Sequence, residues 1–267
     1  MPKISIITIT YNSRRFLEET VNSVLSQNFP DFEYIIVDGG STDGTLDIVR
    51  KYAEKDARVR WVSEPDNGIA DAMNKGVMLA TGNIVAHLHS DDTYLPGALR
   101  QVADAFVRHP DARWLTGCLR HVNERDELLY DTRLKDDYSL ESLLRRNLIS
   151  HPATFIRHEV FAEVGGFDTA LRYAMDYDLW LRIAICYSVL PLPSLLATFR
   201  VHAESLSSRE LLQAFAEEYQ IRQRYRAAHG LGGGFGDLVR YHKERLVIKF
   251  GLNNLRKRLF QKSRIDR

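Results

Sequence analysis

The sequence predicts an α/β fold: a mixed, mainly parallel sheet flanked by helices, with a helical extension at the C-terminal end. Two observations support this fold class. β-Branched apolar runs alternate with helical patterns along the first two hundred residues, and acidic residues recur where the predicted strands end. Strands that alternate with helices are typical of doubly wound sheets, which bind ligands beyond the carboxyl ends of their strands.

Four strand–helix pairs are predicted in the first 112 residues. The strands lie at 3–10, 32–37, 58–62 and 83–88, and the helices at 14–27, 45–55, 69–80 and 95–107. The run at 3–10 is continuously apolar and β-branched, which is typical of a strand buried on both faces. This regular alternation predicts a parallel arrangement.

From residue 113 the elements become shorter and less regular. Strands are predicted at 114–122, 127–132, 153–156 and 189–201, and helices at 140–146, from about Asp176, and at 210–229. We expect one domain at 1–207, with halves 1–112 and 113–207, and a basic helical extension at 208–267. The extension contains a glycine-rich joint at 230–236, and its last segment, 237–267, carries ten basic and three acidic residues.

Composition narrows the class of protein. A net charge of +1 over 267 residues gives no global reason to expect nucleic-acid binding. Cys118 and Cys186 have no CxxC or Cys/His spacing, so we expect two buried thiols in a reducing compartment and no structural zinc. No apolar run reaches the roughly 18 residues of a membrane span, and the N-terminus lacks a secretory pattern. These features predict a cytoplasmic protein.

The segment IIVDGGSTDGT places Asp38 directly after the second strand. A carboxylate there can accept a hydrogen bond from a base N–H or a ribose hydroxyl, and Gly39 and Gly40 let a planar ligand approach the backbone. The alternative is an ordinary strand-to-helix turn in which Ser41 or Asp43 caps the next helix. For Asp43 the sequence favours the cap.

The triplet Ser90-Asp91-Asp92 follows the strand at 83–88. Adjacent carboxylates at a strand end attract a cation, and Mg²⁺ or Mn²⁺ binds carboxylate and diphosphate oxygens together. Capping of the helix predicted from residue 95 is the alternative.

The segment AMDYDLWLRIA begins a strongly apolar helix. Asp176 and Asp178 cannot both face one ligand, because residues two apart on a helix do not share a face. We expect Asp176 to be the functional residue of the two, with helix capping as the alternative.

In order, these motifs resemble those of the family-2 glycosyltransferases of GT-A fold, whose sheet is Rossmann-like and binds nucleotides. The resemblance runs from Lys3 to about Ser207. It rests on KISIITITYN with IIVDGGSTDGT, on EPDNGIADAMNKGVMLATGNIVAHLHSDD, on HPATFIRHEVFAEVGGFDTALRYAMDYDLW, and on FRVHAESLS.

The resemblance implies an inverting transferase that moves a sugar from a nucleotide-sugar, UDP-sugar by default, to a hydroxyl of a glycan or lipid-linked saccharide. It implies that 1–112 binds the donor and 113–207 the acceptor. The implied roles are nucleotide-sugar binding for Thr8, Tyr11, Asn12, Asp38, Asp66 and Asp91, a Mn²⁺ or Mg²⁺ site at Asp91, Asp92 and His202, and general-base catalysis for Asp176. Asp92 is the preferred metal ligand, and His202 could instead be a surface histidine in a loop.

Two departures from the family pattern keep alternatives open. His89 and Met175 stand where many relatives carry acidic residues or, in the first case, asparagine. A catalytically silent binding protein of the same fold is therefore the rival from another class. A sugar-1-phosphate nucleotidyltransferase is disfavoured because 10–15 lacks a glycine-rich loop, and a dehydrogenase because GLGGGFG does not have GxGxxG spacing.

The basic segment 237–267 also has two interpretations. Leucines and other apolar residues lie among its cationic residues, which is typical of a helix bound to an anionic membrane surface. That interpretation would place the protein on the inner face of the cell membrane. The alternative is a helix packed on the catalytic domain with its charged face in solvent.

Overall fold

The central element of the fold is a nine-stranded mixed sheet, seen in a computed structural model that describes residues 3–205, 209–230 and 241. The strands run in the order β3-β2-β1-β4-β8-β6-β9-β5, and β7 pairs with β6. Their bounds are β1 Ile4–Thr10, β2 Phe32–Asp38, β3 Val59–Ser63, β4 Ile84–His87, β5 Thr93–Tyr94, β6 Trp114–Asn123, β7 Leu128–Asp131, β8 Thr154–Arg157 and β9 Leu190–Val201. The predicted α/β fold class is confirmed.

Helices connect the strands. They are α1 Leu17–Leu25, α2 Thr45–Lys55, α3 Ile69–Leu79, α4 Ala98–Arg108, α5 Leu140–Arg145, α6 His158–Val164, α7 Met175–Cys186 and α8 Leu211–Ala228, with a 3-10 turn at His151–Ala153. The sequence missed α6, the 3-10 turn and β5, because one or two turns or two strand residues are too short for a periodic pattern. The other predicted elements occur within a few residues of their expected bounds.

The direction of the strands decides which loops meet. β1 pairs in parallel with β2 and β4, β2 with β3, and β6 with β9. β8 lies between β4 and β6 and is antiparallel to both. The carboxyl ends of β1, β2, β3, β4, β6 and β9 therefore lie at one edge of the sheet, which we call the carboxyl edge, and the start of β8 lies there too. The opposite edge is the amino edge.

The core lies on both faces of the central strands. β1 and β2 are buried almost throughout, and α1, α4 and several strands share one apolar cluster with them. Cys118 is buried and burial raises the pKa of its thiol, whereas Cys186 is exposed. The expectation of two buried thiols is wrong for Cys186, which is the exposed last residue of α7.

The chain divides into two compact units, Met1–His202 and Ala203–Arg267. In the second unit, α8 accounts for the predicted helix at 210–229. The basic segment predicted at 237–267 lies outside the described residues, apart from Tyr241. Among residues 3–205 and 209–230, no helix is both long enough and apolar enough to cross a membrane.

Candidate functional site

Asp38 ends β2 at the carboxyl edge and is completely buried. Its Oδ2 accepts hydrogen bonds from the N–H groups of Gly40 (3.0 Å) and Ser41 (2.9 Å) and from the Ser63 hydroxyl (2.7 Å). Its Oδ1 accepts the Ser41 hydroxyl. Because three of these four donors lie in the loop after β2, the Asp38 carboxylate fixes the conformation of that loop.

Three other predicted residues surround this turn. The Tyr11 side chain is 65% exposed, and Asp66 lies partly exposed after β3. A Cβ on Gly39 would overlap Asp66 Oδ2 and touch the Tyr11 ring, so only glycine allows this close approach. Asn12 fastens the loop, because its N–H donates to the Ser41 hydroxyl (2.8 Å) and its Oδ1 accepts from the Thr42 N–H (2.9 Å). The exposed ring and carboxylate can face a planar ligand.

Thr8 lies deeper than the other predicted residues of this pocket. It has no exposed surface, and its hydroxyl donates to the Leu88 carbonyl (2.7 Å) and accepts from the Tyr34 hydroxyl (2.9 Å). Thr8 therefore joins β1 to the end of β4 beneath the surface. The N-cap residue of α2 is Gly44, so the favoured cap at Asp43 is wrong, although Asp43 Oδ1 accepts the N–H of Thr45, the first residue of the helix (3.0 Å).

Asp91 and His202 form a pair at the middle of the carboxyl edge. His202 follows β9, and its Nε2 lies 2.8 Å from Asp91 Oδ2. Burial opposes ionisation of Asp91, but the hydrogen bond and charge of His202 hold the pKa of that carboxyl below its usual value. His202 is only 9% exposed, which excludes the alternative of a surface histidine.

Asp92 is fully buried. Its Oδ1 accepts the backbone N–H of Arg200 (3.0 Å), while Oδ2 has no hydrogen-bond partner among the described residues. Burial and the neighbouring Asp91 charge raise the pKa of Asp92 well above its usual range. Neither carboxylate caps α4, whose N-cap is Gly97, so the capping alternative is wrong.

Arg200 connects the Asp91–Asp92 segment to the rest of the domain. It is 1% exposed, and its Nε donates to the Asp91 carbonyl (3.1 Å). The guanidinium also pairs with Glu19 (2.5 Å) and Asp126 (2.8 Å). Sequence reasoning missed Arg200. The available signal was an arginine inside the otherwise apolar strand pattern of β9.

A divalent ion fits the Asp91–His202 pair. Carboxylate and imidazole are both ligands of Mn²⁺, and here their oxygen and nitrogen atoms converge to 2.8 Å. In the described part of the chain, no group of three or more His, Cys, Asp or Glu side chains could hold a metal ion by itself. Ions such as Mg²⁺ commonly combine one or two protein carboxylates with substrate phosphates. Accessibility favours Asp91 over Asp92 as the ligand, the reverse of the sequence preference.

Three histidines occupy the space beyond β4. The ring of His151 lies 5.9 Å from that of His87 and 4.9 Å from that of His89, centroid to centroid. Burial, then the His151 charge, lowers the pKa of His89 to about 4 and that of His87 further below its usual value. His89 also interacts electrostatically with Asp91 and with Asp176. This histidine cluster is therefore neutral at physiological pH at His87 and His89.

Asp176 and Asp178 separate at the start of α7. Asp178 is 1% exposed and accepts from Arg182 Nε (2.9 Å). Asp176 is partly exposed, with Oδ2 3.4 Å from His151 Nδ1. Ala174, and neither aspartate, is the N-cap residue of α7. Asp178 thus forms an ion pair within α7, whereas Asp176 lies next to His151 of the histidine cluster. His151 was not singled out from the sequence, although a histidine directly before a buried strand was a visible signal.

Three polar groups lie at the carboxyl edge. The loops after β1, β2 and β3 bring together Tyr11 and Asp66, the loops after β4 and β9 bring together Asp91 and His202, and the start of β8 lies beside Asp176. Such groups can contact the planar, anionic and hydroxyl-bearing parts of a ligand.

Solved structures of similar fold carry ligands of that kind. TarS from S. aureus, solved with UDP-GlcNAc, aligns over 84% of this chain and 71% of that chain, with a TM-score of 0.64 and 21% identity. The mannosyltransferase PcManGT from Pyrobaculum calidifontis, solved with GDP-Man and Mn²⁺, aligns over 92% and 81%, with a TM-score of 0.63 and 20% identity. These likenesses confirm the GT-A-like fold.

Sequence comparisons identify relatives. The chain is 30% identical to chondroitin synthase of Pasteurella multocida over 184 residues, which are 69% of this chain and only 19% of that protein. It is 34% identical over 191 residues to a PGL/p-HBAD biosynthesis glycosyltransferase of Mycobacterium tuberculosis, 70% of each chain. The family model for "Glycosyl transferase family 2" matches residues 5–165. The resemblance seen in the sequence is therefore confirmed: this chain belongs to glycosyl transferase family 2.

Proposed function

We propose that this protein transfers a sugar from a nucleotide-sugar donor to a hydroxyl of a glycan or lipid-linked saccharide, with inversion at the anomeric carbon. The observation that carries the proposal is the set of polar groups at one edge of the sheet. They are Tyr11 and Asp66, the Asp91–His202 pair, and Asp176 beside His151. The membership in glycosyl transferase family 2 supports the same conclusion.

The donor would lie along this edge from its base to its sugar. The exposed Tyr11 ring offers a face for a nucleobase, and Asp66 offers an acceptor for a base N–H or ribose hydroxyl. Asp38 supports this pocket from below through the loop after β2. UDP-sugars are the default donors, because the TarS structure contains UDP-GlcNAc, and GDP-mannose is the second candidate from the PcManGT structure.

The diphosphate would lie at Asp91 and His202. A Mn²⁺ or Mg²⁺ ion held there would neutralise the negative charge of the leaving nucleoside diphosphate. Asp91 is ionised for this role because His202 holds its pKa below the usual value. Arg200 fixes the position of the Asp91 backbone, because its buried guanidinium donates to the Asp91 carbonyl.

Asp176 would act as the general base. Its carboxylate takes the proton of the acceptor hydroxyl as that oxygen attacks the anomeric carbon, and the bond from this carbon to the diphosphate oxygen breaks with its electron pair. A single displacement from the opposite face inverts the configuration. The transferred sugar would lie near His89, which interacts electrostatically with both Asp91 and Asp176.

The acceptor is the least constrained part of the proposal. The similar proteins include a chondroitin synthase and a PGL/p-HBAD biosynthesis glycosyltransferase, which supports a glycan or a lipid-linked saccharide as the acceptor. The basic segment 237–267 would hold the protein at an anionic membrane on its cytoplasmic side. Sedimentation with anionic liposomes, weakened by salt, tests this placement, and equal sedimentation without anionic lipid contradicts it.

A donor screen tests the proposed function. UDP-, GDP- and dTDP-sugars are incubated with the full chain, with and without Mn²⁺ or Mg²⁺, and release of the nucleoside diphosphate is measured. We expect release from one donor class, abolished by EDTA and strongly reduced in Asp91→Asn. Asp47→Asn is the matched control, because this aspartate lies on α2, outside the loops of the site, and its side chain is 81% exposed.

The screen also separates a transferase from a silent protein of the same fold. Donor binding without release, even with saccharide acceptors present, would leave the chain as a nucleotide-sugar-binding protein. Absence of both binding and release for every donor with metal present would overturn the proposal altogether.

A further inference from the structure

His151 occupies a fixed position at the carboxyl edge. It opens the 3-10 turn His151–Ala153 directly before β8, and its side chain is only 12% exposed. Because β8 is antiparallel to β4, this turn lies beside the end of β4. The topology therefore brings the imidazole to the base proposed above, although 25 positions of sequence separate His151 from Asp176.

The two oxygens of Asp176 have different surroundings. Oδ1 accepts the Tyr177 N–H at 2.7 Å, so the first turn of α7 holds this oxygen. Oδ2 faces His151 Nδ1 at 3.4 Å. The helix and the imidazole therefore contact opposite sides of one carboxylate, and together they restrict its rotation.

The imidazole is itself held on several sides by aromatic rings. Trp180 lies edge-on at 5.5 Å between ring centroids, and Phe167 lies nearly parallel at 6.2 Å. The backbone of Phe167 is bound to α3, since its N–H donates to Asn74 Oδ1 and its carbonyl accepts from Asn74 Nδ2, both at 2.8 Å. A Cβ on Gly166 would overlap Asn74 Oδ1, so glycine permits this contact. The His151 ring is thus anchored to both halves of the domain.

We propose that His151 is a positioning residue for Asp176, directing an Nδ1–H towards Oδ2 and fixing the orientation in which this carboxylate meets the acceptor hydroxyl. The inference rests on the proposed role of Asp176. With the proton on Nδ1, a donor faces the carboxylate. With the proton on Nε2, the lone pair of Nδ1 would face the carboxylate instead. The Nε2–H would then be buried without an acceptor, because Nε2 has no hydrogen-bond partner among the described residues.

Histidine-selective ¹⁵N NMR of the full chain at pH 8 tests the tautomer without any substrate. The resonance missing in His151→Gln identifies this residue among the nine histidines. We expect the Nδ1–H tautomer in the wild type and loss of that preference in Asp176→Ala. An Nε2–H tautomer in the wild type, or an unchanged tautomer in Asp176→Ala, overturns the inference.

A double-mutant cycle tests the functional part. We expect His151→Phe to lower kcat about 10- to 100-fold, since small misplacements of a catalytic group have effects of that size. The donor KM should stay within about twofold, and the same substitution in Asp176→Asn should have no further effect. His109→Phe, at the exposed end of α4, is the control. An equal loss from His151→Phe in both backgrounds makes the role merely structural and overturns the inference, while the transferase function stands. A wild type that releases no nucleotide overturns the function itself, and the NMR result still decides the tautomer.

Discussion

Two buried carboxylates at opposite edges of the sheet have opposite surroundings. At the amino edge, Glu33 is 5% exposed and accepts from the Ser5 hydroxyl (2.6 Å), from the N–H and hydroxyl of Thr81 (2.6 and 2.8 Å) and from Arg60 (3.0 Å). At the carboxyl edge, Asp92 is fully buried, with one donor on Oδ1 and, among the described residues, no partner for Oδ2.

The pKa values follow this difference. Burial alone would raise the pKa of Glu33, but its donors lower it to about 2, whereas burial raises that of Asp92. Buried polar groups without hydrogen-bond partners reduce stability, and groups with strongly shifted pKa values are often found at functional sites. Glu33 therefore contributes stability, whereas the Asp92 oxygen that lacks a partner among the described residues reduces it. Four predictions test this contrast.

Asp176→Asn should produce the largest change. Removal of a general base typically costs about 10²- to 10⁴-fold in rate, so nucleotide release with acceptor present should fall by that factor. The free energy of unfolding should change by less than about 1 kcal/mol, because Asp176 is partly exposed. Kinetics and urea denaturation measure the two effects. A variant with normal turnover would remove Asp176 from the mechanism.

Glu33→Gln should show the reverse behaviour, with turnover unchanged while the protein remains folded. A pKa of about 2 against an ordinary value of 4.5 corresponds to about 3 kcal/mol of stability. Because the folded-state pKa is lowered, this stability is present above pH 4.5 and is lost as pH falls towards 2. Urea denaturation between pH 7 and pH 3 should therefore show a flatter pH dependence in the variant. Parallel pH profiles for variant and wild type would contradict this assignment.

Arg200→Lys should weaken metal binding about 10- to 100-fold, which is the usual effect of losing a group that orients a metal ligand. Lysine cannot reproduce the contacts of the guanidinium with the Asp91 carbonyl, Glu19 and Asp126. The Mn²⁺ concentration for half-maximal donor binding measures this effect. Arg58→Lys, whose arginine pairs with Asp56 before β3, is the matched control and should leave the metal requirement unchanged.

Two glycine substitutions should give the smallest effects and compare the edges directly. Gly39→Ala would push Asp66 aside and weaken donor binding several-fold with little loss of stability, since a side chain can move away. Gly82→Ala places its Cβ 2.8 Å from backbone atoms of Lys3 and Ser5, which cannot move as easily. It should therefore lower stability by about 1–3 kcal/mol and leave donor affinity unchanged. Calorimetry of binding and unfolding distinguishes the two outcomes.

Periodicity and turn chemistry were enough to predict most of the fold. The alternation of apolar runs predicts the order of β1 to β4 and their helices, whereas capping rules favour Asp43 as the N-cap of α2, one residue before the observed Gly44. The sequence does not predict β5 and α6, because such short elements depend on tertiary contacts, such as the pairing of Thr93 with Thr198.

The candidate site was predictable in its loops and less so in its individual side chains. Sequence order cannot reveal which of two adjacent aspartates is buried, so Asp92 was preferred although Asp91 is the accessible one. Arg200 and His151 act through contacts across β9 and β8, and such contacts depend on strand pairing between distant segments. The catalytic, nucleotide and metal roles assigned to these residues remain predictions.

The position of β9 has a consequence for synthesis of the protein. A nascent chain that has emerged through β4 already contains the loops around Asp38 and Asp66, but His202 follows only after β9, 111 residues beyond Asp91. Domains form from their N-terminal segments first during translation. Ribosome-bound intermediates would therefore lack the Asp91–His202 pair, so an incomplete chain should be unable to consume the cell's activated sugars before translation has passed β9.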